Sequence, residues 1–204
     1  MSTMAERGRP RSFDRDQALA RAMEVFWIKG YETASISDLT QAMAIGSPSL
    51  YAAFGSKEEL FHEAVELYSR TEGPELWDVV EGAPTAREGI GGFLMATARA
   101  FTQAGKPRGC LVTLSALNTT PASASVCQAM RERRAGGQCG LEARLKRAVA
   151  EGELPAGLDT AAVATFYATV QQGMSIQARD GASREALEKV AQAAMAAWEP
   201  LTKG

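Results

Sequence analysis

The sequence predicts an all-α protein, and three observations carry that reading. Apolar residues recur at three- and four-residue spacing along most of the 204 residues. Four helix-start signals crowd into residues 14–59, and no alternating apolar–polar run marks a strand. With 46% hydrophobic residues the chain can bury a full core, which argues against disorder except at its ends.

The first helix is expected from Asp14 to Lys29, where Ala18, Ala22, Val25, Phe26 and Ile28 form an apolar stripe, Asp14 is the N-cap with Gln17 three residues on, and Gly30 terminates. Ser35 followed by Asp38 makes a second capping pair, opening a helix with Ile36, Leu39 and Met43 inward. Ser47 and Pro48 read as N-cap and first helical residue of "SLYAAF", in which Leu50 and Phe54 face the same way. Ser56 and Glu59 form a third capping box, for "KEELFHEAVELYSR".

Longer helices follow a seam expected between Tyr68 and Gly73. Thr85 caps a segment with Ile90, Phe93, Leu94 and Phe101 on one side, interrupted only by the polar Thr97. "LVTLSALNTT" comes after a Pro-Arg-Gly turn. In "SVCQAMRERRAGGQCGLEARLKRAVAEGEL", Gly136 and Gly137 each cost roughly 1 kcal/mol relative to alanine, so a kink or break is expected there. "DTAAVATFYATVQQGMSIQAR" and "SREALEKVAQAAMAAWEPL" are the last two helices.

Composition excludes several classes of function. No apolar run approaches the roughly 18 to 20 residues of a membrane span, and "MSTMAERGRPRS" lacks the apolar centre of a signal peptide, so a soluble, cytoplasmic protein is expected. Cys110, Cys127 and Cys139 have no metal-site or disulfide spacing, and neither a metal nor a cofactor is expected. A net charge of -2 opposes nonspecific coating of nucleic acid but leaves room for a local basic patch. With His62 as the only histidine, and no Gly-rich phosphate loop, H-E-x-x-H or G-x-S-x-G element, an enzyme is not expected.

Two short helices joined by a tight turn and backed by a first helix make a helix-turn-helix. The run "GYETASISDLTQAMAIGSPSLYAAFGSKEELF" closely resembles the N-terminal part of the tetracycline-repressor (TetR) family of bacterial transcription regulators. The resemblance rests on Gly30-Tyr31, Thr33, Ser35, Asp38-Leu39, Leu50-Tyr51, Phe54 and Ser56 to Leu60, and spans residues 13–61; downstream only length, helix count and a variable, pocket-bearing character match. Ala44 stands where a turn glycine is common in the family, and Pro48 where small or basic residues are more usual. The resemblance implies a three-helix reader over residues 13–61, linked through the helix 56–72 to a larger helical ligand-binding and dimerisation domain over 73–204, with residues 1–12 as a basic arm. It also implies a homodimer on double-stranded operator DNA, usually a repressor, released by a small-molecule effector that shifts the two readers relative to major grooves about 34 to 36 Å apart.

The candidate reading helix has no arginine, asparagine or glutamine for bidentate base contacts, which leaves Ser47, Pro48, Ser49, Tyr51 and Ala52. Tyr51 resembles the family's phosphate-contacting tyrosine; Lys57 adds charge at a helix N-terminus, and Thr33 and Ser35 hold the backbone from the other side. Arg7, Arg9 and Arg11 of "RGRPR" suit a narrow A·T-rich minor groove. Candidate effector contacts are Tyr68, Trp77, Phe93, Met95, Phe101, Cys110, Leu111, Leu114, Met130, Phe166, Tyr167 and Met174, a set with few fixed charges that points to a mostly apolar effector. The two alanine-rich last helices are the expected dimer face. An alternative is redox sensing through Cys110, which follows "KPRG" and has Lys106 and Arg108 as cationic neighbours.

Overall fold

The computed structural model describes residues 13–117, 120 and 123–203, and every regular element in them is a helix. In order these are α1 Arg15–Thr33, α2 Ile36–Met43, α3 Ser47–Phe54, α4 Lys57–Glu72, α5 Pro74–Gly82, α6 Ala86–Phe101, α7 Leu111–Leu114, α8 Ala124–Ala150, α9 Thr160–Arg179, α10 Arg184–Ala196 and α11 Trp198–Lys203. No helix among the described residues is long and apolar enough to cross a membrane.

Three of the first four helices, α1, α2 and α4, start where their capping residues demand. Asp14 accepts from the amides of Asp16 and Gln17, Ser35 and Asp38 exchange both bonds of a capping box, and Ser56 accepts from Glu59. The Ser56 box is only half made, because its own amide donates to the Phe54 carbonyl. Ser47 is not the cap of α3: Gly46 holds the cap position without a side-chain bond, so Ser47 is the first helical residue and Pro48 the second. Proline is tolerated there because the amides of a first turn have no intrahelical acceptor.

Leu39, Leu50, Leu60 and Phe61, all fully buried, lock α2, α3 and α4 against α1, with Phe61 edge-on to Phe26 at 5.0 Å and to Tyr31 at 5.1 Å. Beyond α4, α5 folds back on α6, α8 runs beside α9, and α10 covers α6. The stripe Ile90, Phe93, Leu94 and Phe101 is buried as expected, together with Thr97, whose hydroxyl finds no partner among the described residues.

A second expectation fails in α8. No break occurs at Gly136–Gly137: α8 runs its full 27 residues. Gly136, Gly137 and Gly140 lie at helical spacing, and the Trp77 indole approaches the last of them so closely that a Cβ would sit 2.8 Å from its ring. Packing against α9 keeps the helix continuous, and Gly140 leaves room for the Trp77 indole.

Candidate functional site

The α2–α3 unit is held from both ends. Lys29 donates to Asp38 at 2.6 Å, and this bond, with those from the Ser35 amide and hydroxyl, holds the Asp38 carboxyl well below the usual carboxylate range. The turn passes through Ala44 at φ 55° and ψ 42°, the one non-glycine residue in the left-handed region among those described. An alanine there costs about 1 kcal/mol relative to glycine, offset in part by the Ala44 and Ile45 amides closing the end of α2 on Gln41 and Thr40.

On α3, Pro48, Tyr51 and Ala52 are exposed at three- and four-residue spacing, opposite the buried Leu50 and Phe54; Ser47 and Ser49 flank them, half-buried. Thr33 and Ser35 are exposed at the start of α2. Lys57 differs from a free surface cation: its ammonium lies 4.5 Å above the Tyr31 ring, burial lowers its pKa, and Glu32 opposes that shift. Glu32 in turn accepts from Thr120 at 3.0 Å. Arg7, Arg9 and Arg11 lie outside the described residues.

A cavity of about 570 Å³ opens between α4, α5, α6, α7, α8 and α9. Of the twelve candidate effector residues it brings together Tyr68, Trp77, Phe93, Phe101 and Cys110. The other seven are elsewhere. Leu111, Met130, Tyr167 and Met174 are packed in the core, Phe166 stacks edge-on against Tyr167, and Met95 and Leu114 are half-buried away from the opening. The wall instead includes Glu72, Arg133, Arg134, Gln138, Gln171 and Gln172, together with the α8 glycines. It is therefore more charged than the sequence suggests; "RERRAGGQCG" reads as a solvated helix, and only the glycines beside the arginines hinted at an open face.

Cys110 sits in this wall next to Tyr68, whose phenol is pushed up by burial first and then by Cys110. Its expected cationic neighbours are occupied elsewhere: Lys106 pairs with Glu72 at 2.8 Å, and Arg108 donates to the Ala182 carbonyl.

The segment Arg108–Cys110 joins the cavity to α1. The Gly109 carbonyl accepts from the Trp27 indole at 2.9 Å, the Cys110 amide donates to Ser175 at 2.8 Å, and the Arg108 carbonyl accepts from Arg179 at 3.1 Å. Gly109 is at φ 79°, and a side chain on it would meet the Ser175 carbonyl at 2.6 Å. At Gly30, with φ 77°, α1 leaves helical geometry; the Tyr31 amide then bonds Ser115 at 2.8 Å instead of an α1 carbonyl. Arg179, at the end of α9, takes the carbonyls so released, donating to Trp27 at 2.6 Å and Ile28 at 3.0 Å.

Comparison with known proteins agrees with this architecture. The family model for bacterial regulatory proteins of the tetR family matches residues 18–64, and that for the tetracyclin repressor-like C-terminal domain matches residues 90–194. The chain is 34% identical over 198 residues to the HTH-type transcriptional repressor ComR of Escherichia coli K12, covering 97% of this chain and 94% of ComR. It is 32% identical over 189 residues to the repressor BdcR of the same organism, covering 93% and 90%. Among solved structures, a cysteine-substituted TetR family regulator CifR in complex with 26-bp double-strand operator DNA superposes with a TM-score of 0.91 at 50% identity, covering 94% of this chain and 100% of that one. A second, the putative TetR regulator from Rhodococcus sp. RHA1, is 35% identical with a TM-score of 0.58 over 93% and 99%. From its helix-turn-helix to its C-terminal helices, the chain belongs to the TetR family of bacterial transcription regulators.

Proposed function

We propose that this chain is a cytoplasmic, homodimeric repressor that holds operator DNA with α3 and releases it when a small, mostly apolar effector fills the cavity. The observation that carries the reading is the exposed set Pro48, Tyr51 and Ala52 on a short helix whose other face is fully buried, on a backbone matching an operator-bound CifR. Tyr51, Lys57, Thr33 and Ser35 are assigned to phosphates, while Ser47, Pro48, Ser49 and Ala52 face base edges. Residues 13–61 act as the reader and residues 73–204 as the effector and dimer part, with α4 between them.

For dimerisation, the outer faces of α9 and α10 present Ile176 at 44% and Val190 at 41% exposure among small residues such as Gly173, Ala186 and Ala193. Two copies joined there place two reading helices on successive major-groove turns. Fluorescence anisotropy on the DNA upstream of the chain's own gene and its neighbours tests the proposal: saturable binding to one inverted repeat, resistant to competitor DNA, is expected. Equal affinity for every duplex would refute it.

A second reading has its own observation. Because Cys110 lines the cavity, oxidation of its thiol would alter the same wall that the effector touches. Mild peroxide without effector, followed by mass spectrometry and operator titration, tests it: release lost in Cys110→Ser supports the redox reading, and release that survives there rules Cys110 out.

A further inference from the structure

The fixed charges around the cavity do not cancel. Glu72 is paired with Lys106, and Arg133 is paired with Glu66 and donates to Ser69 at 3.3 Å. Arg134 is left over. One of its nitrogens donates to the Val112 carbonyl at 3.0 Å, and among the described residues no carboxylate pairs with it. A guanidinium carries five donors, so most of its capacity remains open at the wall. Burial disfavours its charge and Arg131 repels it, which lowers its pKa; a counter-ion would relieve both costs.

The rest of the wall favours a flat body. Trp77 and Phe93 lie 5.6 Å apart on one side. Gly140 packs directly on the Trp77 indole, whereas one turn earlier a Cβ at Gly136 would meet nothing within 4 Å, so the open space along this face of α8 lies at Gly136. Half-buried Gln171 and Gln172 supply neutral donors close by, whereas the Gln138 amide is occupied by Thr165 at 2.8 Å. At about 570 Å³ the space suits a small organic molecule.

We propose that the effector is a small organic anion, with a flat and mostly apolar body resting beside Trp77 and Phe93 along the face of α8 at Gly136 and one carboxylate-like group received by Arg134. The proposal rests on reading the cavity as the effector site, and it adds the charge of the ligand. A carboxylate fits because the planar guanidinium can give it two parallel bonds in a partly desolvated setting.

The test compares 2-naphthoate with 2-naphthamide, two probes of nearly one shape and different charge, by calorimetric titration of the full-length protein. The wild type is expected to bind the carboxylate about tenfold more tightly than the amide, Arg134→Gln to bind both alike, and Arg134→Lys to recover the preference. Gly136→Leu, whose side chain enters the open space on that face of α8, is expected to abolish binding of both. An amide bound as tightly as the carboxylate by the wild type, or a preference that persists in Arg134→Gln, overturns the anion assignment and leaves the cavity as a ligand site. Absence of binding by both probes, or binding untouched by Gly136→Leu, overturns the cavity reading and the anion assignment together.

Discussion

Replacing Arg179 by alanine should do more than remove one surface charge. Its three nitrogens donate to the carbonyls of Trp27, Ile28 and Arg108, so one side chain ties the end of α9 both to α1 and to the segment that carries Cys110. Bonds from a charged group contribute about 1.5 to 3 kcal/mol each, but Arg179 is half-buried and water can replace part of what is lost. A total loss of about 3 kcal/mol follows, which for a chain of this size lowers Tm by about 6 to 12 °C. Arg179→Lys keeps the charge and can satisfy one carbonyl at a time, so it should recover about a third of the difference. Thermal unfolding at one protein concentration measures this, since association also moves Tm. The same variants, titrated with operator in the presence and absence of effector, should show a smaller effector response for alanine than for lysine. A Tm within about 1 °C of wild type would refute the assignment, because three carbonyls cannot lose a charged donor at so little cost.

Four further outcomes are expected. Tyr51→Ala and Lys57→Ala should each weaken binding to every duplex, and only the lysine change should lower the log–log salt slope, by about one unit or less given its contact with Tyr31; loss at a single base pair would count against these roles. Gly136→Ala should raise stability by about 1 kcal/mol while reducing the effector response, read by thermal unfolding and by operator release, because its methyl enters open cavity space; an unchanged effector response would exclude Gly136 from the ligand wall. The Asp38 carboxyl is held low by Lys29 and Ser35, so its stabilising effect is complete above the ordinary carboxylate range and is lost as pH falls toward its folded value; the urea-midpoint gap between wild type and Asp38→Asn should be present at pH 7 and shrink below about pH 4. Deleting residues 1–11 should cost more affinity on operators with A·T-rich flanks than with G·C-rich ones, and an equal loss would remove Arg7, Arg9 and Arg11 from the minor groove.

What the sequence made legible was local. Asp14, Ser35, Ser56 and Thr85 each cap the helix they announce, since a cap needs only its own few residues to form. The cavity was legible only in part because its wall is assembled from six helices, and periodicity cannot tell an apolar residue facing the core from one facing a void. Tyr167 and Phe93 look alike in sequence; one is sealed in the core and the other faces open space. Arg134 was hidden for the opposite reason. A basic residue in a charged helix reads as solvated, and only tertiary structure shows that its neighbour Arg133 is the one that found a carboxylate. The glycine pair misled because intrinsic propensity was weighed without the neighbouring helix that overrides it.

The way α1 ends bears on modularity. The helix-turn-helix looks detachable, but α1 finishes by borrowing: Trp27 gives its indole proton to Gly109, Tyr31 gives its amide to Ser115, and the carbonyls of Trp27 and Ile28 depend on Arg179. A fragment of residues 1–72 leaves all four groups without their lenders, so weak operator binding by that fragment would report a loosened reader as readily as a missing partner subunit. The dimer is better probed in the intact chain, by Ile176→Glu or Val190→Glu on the exposed faces of α9 and α10, with light scattering to count subunits. The same borrowing means that the reader has no independent resting shape: the end of its first helix is set by Ser115 just after α7, by Arg179 on α9 and by the segment beside the cavity, so any molecule that moves those residues changes the reader without touching it.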